Sequence, residues 1–559
     1  MPTLAHLLQQ AYLEAPDHTV IELITGKRSA QTITGRDFMR GAAGYVEAYR
    51  TAGIEPGDVV VLILQHGAPL IYAFFGAILR GAIPSIMPFL TEKLSPEKYR
   101  RDLAALLTVT KPAAIVTYRE FEPEVRAAAE NSSVRAILID EAIGPAAEVD
   151  GITLAGLALS PEDITLLQHS SGTTGLQKGV ALSHQAVLNQ LESYSEAIRL
   201  KPGDVIVSWL PLYHDMGLIA GFILPILRRI PLVLLSPFDW VRAPHMLLQA
   251  VARYHGTLTW LPNFAYNFCA QKIRQRDLEG VDLSSWRAVI NCSEPMRYES
   301  HQMFLQRFAP YGLRADALAA CYAMAENVFA VTQGGIDEPV RVDEIDSLAF
   351  FKERRAVPAT SGETIKMLSA GRPIRNVRVR VLDEQRSELP DRHIGEIALN
   401  SDCMLTGYFH RDDLTAQAFH EGWYLTGDLG YVAEGEVYVV GRKKDLIIVG
   451  GKNVYPGDLE YLASEVEGVS PGRVVAFGVF NEHVGTEDVV MVAEADTADS
   501  AERQRLADAI RERITRGSDV TLRKVHIVGP RWVLKTSSGK TARAANREKY
   551  LAEIAERQD

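Results

Sequence analysis

The chain has 559 residues, 59 Lys and Arg against 70 Asp and Glu, and a formal net charge of −11. The length exceeds what one hydrophobic core organises and predicts about three or four folding units. The acidic balance, without a basic block, argues against a nucleic-acid binder. Four scattered cysteines (Cys269, Cys292, Cys321, Cys403) form no C-x-x-C pair. They read as small buried apolar residues in a reducing compartment, not as a disulfide or zinc framework.

In chain order, Leu4, Leu7, Leu8, Ala11 and Tyr12 recur at helical spacing and predict an amphipathic first helix. No basic segment followed by an apolar core precedes it, so no signal peptide is expected. Asp58 to Leu64 reads as a buried strand, followed by a helix over about 69–79. A helix over about 99–107 precedes strands at Ala113 to Thr117 and Ala136 to Ile139. This alternation predicts α/β layers around largely parallel sheet, whose strand C-termini form the ligand crevice. The longest apolar run, Met216 to Leu227, is too short for a bilayer, which needs about 20 residues. A cytoplasmic protein without a transmembrane segment is expected.

After an apolar run, Ile164 to Leu167, comes His169-Ser170-Ser171-Gly172-Thr173-Thr174-Gly175-Leu176-Gln177-Lys178-Gly179. Glycines let backbone N–H groups approach a ligand, hydroxyls add donors, and Lys178 adds a point charge. A polyphosphate is the natural guest; a flexible polar loop is the plain alternative. The pattern is not G-x-x-x-x-G-K-[ST]. Further on, Trp209-Leu210-Pro211-Leu212-Tyr213-His214-Asp215 ends a strand before an apolar helix. His214 is placed either to face a substrate carboxylate or to order its loop. Trp260 to Tyr266 brings aromatics, including Phe264 and Tyr266 beside Asn263, to another strand end, as core or as the wall of an apolar pocket.

With these motifs in order, the sequence resembles the adenylate-forming superfamily of acyl-CoA synthetases, luciferases and adenylation domains. Several further segments carry the resemblance: Asn291-Cys292-Ser293-Glu294-Pro295, Tyr322-Ala323-Met324-Ala325-Glu326, Tyr424-Leu425-Thr426-Gly427-Asp428, Gly441-Arg442-Lys443-Lys444-Asp445 and Lys535-Thr536-Ser537-Ser538-Gly539-Lys540. The resemblance implies that Ser170, Ser171, Gly172, Thr173, Thr174, Gly175 and Lys178 hold the phosphates of ATP. It implies that Ser293, Glu294, Pro295, Tyr322, Ala323, Met324 and Ala325 contact the adenine side. Glu326, with Thr173, would hold Mg²⁺, to which a carboxylate oxygen is suited. Asp428 would bind the ribose hydroxyls, Arg442 ribose and phosphate, and Lys444 would be the hinge. Lys540 would be the catalytic lysine that stabilises charge building at the α-phosphate. Two departures stand out: Ala323 replaces a usual Gly, and Cys292-Ser293 is unusual within the adenine turn.

A narrower resemblance is to the fatty acyl-AMP ligases. Its carriers are Trp209 to Gly217, Pro262 to Tyr266, Lys444 to Pro456, and the long segment Asp343 to Ala370. That last segment lacks clear periodicity, and CoA-using relatives have a shorter connection there. In the resembled subfamily the insertion restrains the C-terminal domain and disfavours CoA; a tolerated surface insertion is the alternative. The implied organisation is an acid- and ATP-binding domain over 1–440, with a small β-rich portion at about 377–440. A hinge over 441–444 and an α+β C-terminal lid over 445–559 would follow. The implied activity is ATP-dependent conversion of a fatty acid to acyl-AMP and pyrophosphate, with Trp209, His214, Asn263, Phe264 and Tyr266 as acyl-pocket candidates. His214 joins Lys540 and Glu326 as a catalytic candidate. The acyl group would then pass to the phosphopantetheine thiol of a holo acyl carrier protein. The alternatives are a fatty acyl-CoA synthetase, an amino-acid adenylation enzyme using Asp215 or Asp239 for the amine, and a catalytically silent binding protein.

Overall fold

The computed structural model describes residues 2–26, 29–89, 96–170, 178–362, 364–449, 452–481, 486–518, 520, 522–536 and 539–555. The chain folds into two compact units. The first comprises Met1–Arg341, Ala370–Arg378 and Leu399–Tyr424; the second comprises Val342–Ser369, Val379–Ala398 and Leu425–Asp559.

The first unit is built on two sheets. In the nine-stranded sheet, six strands are parallel neighbours: Leu318–Ala323, Ala288–Asn291, Leu258–Leu261, Ile206–Ser208, Leu232–Leu235 and Thr19–Thr25. Antiparallel strands close both edges. The second sheet has the order Gly407–Tyr408, Lys178–Ser183, Ile164–Ser170, Ile83–Ile86, Val59–Ile63, Ala114–Thr117, Ala136–Ile139. Its central strands, such as Val59–Ile63, are buried along their whole length, as strands covered on both faces by helices must be. The expected alternation of strand and helix is therefore present, with the helix after Val59–Ile63 spanning Ala68–Arg80 and the next spanning Pro96–Thr110. Helix Ala68–Arg80 packs closely on Gly35–Thr51. A Cβ at Gly41 would lie 2.5 Å from the Tyr72 ring, and one at Gly76 2.7 Å from the Ala42 carbonyl oxygen, so only glycine permits this approach. The four cysteines are buried and free, as expected.

The apolar run from Met216 is helical but not a plain α-helix. Met216–Ile223 is a π-helix that passes into the α-helix Leu224–Arg228. Gly217 and Gly221 press against the Pro211 carbonyl and the Ser208 hydroxyl, and Pro225 lacks the N–H an α-turn would use. Among the described residues, no helix is long and apolar enough to cross a membrane.

The second unit contains most of a small five-stranded sheet formed by Val377–Leu382, Gly395–Ser401, Phe419–His420, Trp423–Ala433 and Glu436–Arg442, the last two antiparallel. It also holds a three-stranded sheet of Val474–Asn481, Thr486–Glu494 and Lys524–Val528, flanked by helices Pro456–Ser464, Ser500–Gly517 and Arg543–Ala555. The segment Asp343 to Ala370, which shows no periodicity in sequence, contains an antiparallel pair, Val342–Asp346 with Thr364–Leu368. Its alternation is hidden because Ile345 is the one buried residue of the first strand. Ile345, Phe350 and Ala356 share a core with Leu429, Tyr431, Tyr438, Leu446 and Tyr455. Arg392 and Tyr431 both donate to Asp343, at 2.9 Å each.

Two of the buried histidines of the first unit illustrate its sensitivity to acid. His184 Nδ1 accepts the Leu4 N–H at 3.2 Å, and His301 Nε2 accepts from the Asn291 amide at 3.1 Å. Accepting requires a neutral ring, and burial pulls both down to about 4. An unfolded histidine takes its proton near pH 6.5. Stability is thus complete above that pH and falls as pH drops from 6.5 to 4, by roughly 3 kcal/mol per histidine at the lower end. Urea denaturation followed by circular dichroism across this window should show the loss, and His301→Gln should remove the share of it that His301 contributes.

Candidate active site

Strand Ile164–Ser170 and strand Lys178–Ser183 run antiparallel, with Ser170 directly opposite Lys178. The polyphosphate-loop residues Ser171, Gly172, Thr173, Thr174 and Gly175 lie outside the described residues. What is placed is the pair of ends from which that stretch departs, with Lys178 as the first residue of the return strand.

Glu326 sits in a short helical turn, Ala325–Asn327, directly after the strand that carries Tyr322 and Ala323. Its side chain is buried. The turn is pinned from several directions. Glu326's carbonyl accepts the Leu405 N–H at 2.8 Å. Asn327 donates to the Ala330 carbonyl at 2.7 Å and accepts from Ser401 at 2.6 Å. Val328 follows at φ 61° and ψ −54°, with the Phe329 N–H donating to the Asn327 carbonyl at 2.6 Å. This is the strained form of γ-turn, at a β-branched residue, with an expected cost of about 1–3 kcal/mol. Gln168, two residues before Ser170, donates to the Val328 carbonyl at 2.9 Å and holds the strained turn against the strand that leads to the loop.

The carboxylate of Glu326 accepts the Tyr408 hydroxyl at 3.0 Å. Tyr408 and Tyr424 hydroxyls are 2.9 Å apart, and the Lys178 ammonium lies 4.7 Å from the Tyr408 ring centroid. Among the described residues no cluster of three or more His, Cys, Asp or Glu could hold a metal. One buried carboxylate suits Mg²⁺, which is commonly held by one or two carboxylates together with substrate phosphates. Glu326 would hold it, and the ion would neutralise phosphate charge.

Ala323 lies in strand Leu318–Ala323 and is not among the residues at positive φ, so its methyl meets no backbone strain. Ser293 does adopt a positive φ, 71°. Its turn is built by Asn263, whose amide oxygen accepts from Asn291 at 2.9 Å and from the Arg297 N–H at 3.1 Å. Glu294 accepts the Phe264 N–H at 2.9 Å. Asn263 and Glu294 thus fasten the turn to the start of helix Asn263–Lys272. Tyr266 is fully buried, donates to the Val289 carbonyl at 2.9 Å and stacks on His301. Trp209 stacks on Trp240 with centroids 3.5 Å apart, and Phe264 meets both rings edge-on, making one aromatic wall. His214 packs on Tyr213, 4.9 Å between centroids, and Asp215 caps the π-helix through the Met216 N–H. Asp239 accepts the Gly26 N–H at an exposed site.

In the second unit, Asp428 and Arg442 pair at 3.2 Å across adjacent strands. Lys443 reaches Glu396 at 2.8 Å, and Glu396 also accepts the Gly427 N–H. Lys444 lies in the turn Lys443–Asp445. Lys540 stands in a narrow loop closed by the Lys535–Thr541 bridge, its carbonyl accepting the Thr536 N–H at 2.8 Å. Three residues on, Arg543 bonds Asp445 at 2.6 Å and Glu460 at 2.7 and 3.0 Å. Burial pushes the Glu460 carboxyl upward, against the pull of Arg543. This cluster joins the lysine loop to the residue after Lys444. The charged partners of Arg543 and the hydroxyl of Tyr408 went unnoticed in sequence because both residues sit outside any nest or ligand spacing.

The fold agrees with the comparisons. The chain belongs to the AMP-binding enzyme family, whose family model matches residues 8–409. Among similar proteins, a solved structure from a study of fatty acyl-adenylate ligases of E. coli and L. pneumophila superposes with a TM-score of 0.90 and 28% identity, covering 99% of each chain. The 4-hydroxyphenylalkanoate adenylyltransferase of Mycobacterium tuberculosis is 30% identical over 98% of this chain and 92% of its own length. The medium-chain-fatty-acid–[acyl-carrier-protein] ligase JamA of Moorena producens is 33% identical over 70% and 69%, respectively.

Arg543→Ala leaves Glu460 without its cation in a largely buried site. It should lower the stability of the second unit by roughly 3 kcal/mol, measurable by urea denaturation, with the first unit's transition unmoved.

Proposed function

We propose that this enzyme activates a fatty acid with ATP, forming acyl-AMP and pyrophosphate, and then transfers the acyl group to the phosphopantetheine thiol of an acyl carrier protein. The observation that carries the first step is the grouping of Lys178, Glu326 and Tyr408 at the ends of the Ser/Thr/Gly stretch, in a chain of the AMP-binding family. The acid's carboxylate oxygen attacks the α-phosphorus, the bond to the β-phosphate bridging oxygen breaks, and pyrophosphate leaves. Lys178 serves the phosphates. Asp428 accepts from the ribose hydroxyls, with Arg442 beside it. Lys540 stabilises the charge that builds at the α-phosphate. The aromatic wall of Trp209, Trp240 and Phe264 receives the apolar tail.

The two acidic candidates of the amino-acid reading each accept a backbone N–H. Asp215 is spent on the π-helix cap and Asp239 on an exposed turn. Transfer to a carrier thiol in preference to CoA is supported by the likeness to JamA and by the 343–370 segment. The latter shares its core with Leu446 and Tyr455 on the far side of Lys444. Phe350, buried against Tyr455 at 5.8 Å between centroids, is the anchor of that contact.

Purified protein with ATP, Mg²⁺ and a fatty-acid series should give acyl-AMP by mass spectrometry. Offered CoA and a phosphopantetheinylated carrier protein together, it should load the carrier and make little acyl-CoA. Efficient acyl-CoA formation would place it with the CoA synthetases, and no adenylate with any acid would remove the reading altogether. Phe350→Ala should raise the acyl-CoA share while leaving acyl-AMP formation within about twofold, a difference under 0.5 kcal/mol in barrier.

A further inference from the structure

Resting on the metal role read above for Glu326, we propose that Gln168 is a positioning residue for the reaction. It holds the strained Val328 turn in place, and so sets the carboxylate of Glu326 against the strand that leads into the Ser/Thr/Gly stretch.

Val328 stands at φ 61° and ψ −54°, a conformation that a β-branched residue leaves unless its neighbours hold it there. Leaving it would turn the peptide planes on both sides of Val328. The N–H on one side donates to the Ala325 carbonyl at 3.0 Å and closes the turn that carries Glu326. The carbonyl on the other side accepts the Gln168 amide at 2.9 Å. A carbonyl only accepts, so it is the amide nitrogen of Gln168 that faces it. The Gln168 amide oxygen is buried and meets no donor among the described residues. An apolar side chain of the same length would fill the space without that cost, so the N–H is what the position uses. Gln190 accepts the neighbouring Phe329 N–H at 3.2 Å, but from helix His184–Ala197, which does not lead into the stretch.

The sheet register is the second observation. Tyr408, Val180 and Gln168 stand directly opposite one another on three neighbouring strands, so their side chains share one face. Two members of this row grip the same turn. Gln168 holds its backbone at Val328, and Tyr408 donates to the Glu326 carboxylate at 3.0 Å. Lys178, two residues before Val180 on its strand, belongs to that face as well. The sheet therefore sets the carboxylate turn relative to Lys178 for as long as Val328 keeps its strained angles. Gln168 acts through Val328 and not on the reacting groups.

The test is calorimetric binding of ATP to the full chain without acid substrate, once in EDTA and once with excess Mg²⁺. The ratio of the two affinities reads what the metal adds at equilibrium. Gln168→Met keeps the length and removes the N–H, and the ratio should fall about tenfold. A merely structural loss weakens both forms alike and leaves the ratio unmoved. Adding Val328→Gly removes the strain, because glycine takes positive φ without a steric penalty. The ratio should then return to within about threefold of wild type. A structural role gives the reverse, since a glycine loosens the turn further. An unchanged ratio in Gln168→Met, or no recovery in the double variant, would overturn the proposal. If circular dichroism shows Gln168→Met unfolded, Gln168→Asn, whose shorter amide falls short of the Val328 carbonyl, is read in its place with the same two outcomes. Glu326→Gln is the control on the underlying reading. Should it keep the wild-type ratio, the metal role of Glu326 is wrong, whatever Gln168 does.

Discussion

A buried carboxylate has to be held in place by the backbone that carries it, and much of the first unit around Glu326 is arranged to do that. Its turn is closed by the strained Val328 γ-turn, and the strain persists because neighbours over-determine it. Gln168, Asn327, Ser401 and Leu405 each contribute a hydrogen bond, from a different part of the chain. The Gln168 contact is the most consequential. It fixes the carboxylate turn to the strand that ends at Ser170, so carboxylate and phosphate-loop base are parts of one hydrogen-bonded body. The metal and phosphate roles proposed for this site would need that rigidity, because misplacement of a charge by even an ångström weakens electrostatic catalysis.

The second unit solves a different problem with the same means. Arg543 gathers Asp445 and Glu460 around one guanidinium, and also donates to the Ala476 carbonyl at 2.9 Å. The planar fork lets one side chain serve three acceptors, which a lysine could not do. The lysine loop, the turn after the hinge motif and the first strand of the three-stranded sheet are thereby one body. The 343–370 segment joins this unit through an apolar core, with the Asp343–Arg392 ion pair beside it. A loosely attached surface insertion would not bury Ile345, Phe350 and Ala356.

Legibility in sequence followed the strength of local pattern. Val59–Ile63 and Ala114–Thr117 announced themselves as unbroken apolar runs, and helix Ala68–Arg80 as a following periodic one. The strand Val342–Asp346 did not, since a single buried residue leaves no alternation to read. The run from Met216 gave a helix, but its π form depends on what Gly217 and Gly221 press against. Asn263 read as a pocket residue because it neighbours aromatics. In three dimensions its amide is occupied in fastening the Ser293 turn. Ala323 raised a question of strain that only its backbone angle could answer.

What the sequence determined by itself was the inventory and its order: a loop of hydroxyls and glycines with a lysine, a lone carboxylate turn, an aspartate after Thr-Gly, and a late lysine. Those are properties of residue type and spacing, which act within a few residues along the chain. What only the tertiary structure decided was which distant side chains those charges meet. Tyr408 is more than two hundred residues from Lys178 and 82 from Glu326, yet its ring meets the first and its hydroxyl the second. Such an arrangement is long-range by nature. Its physical cause, the pairing of Gly407–Tyr408 with the strand of Lys178, is a register that no local pattern encodes.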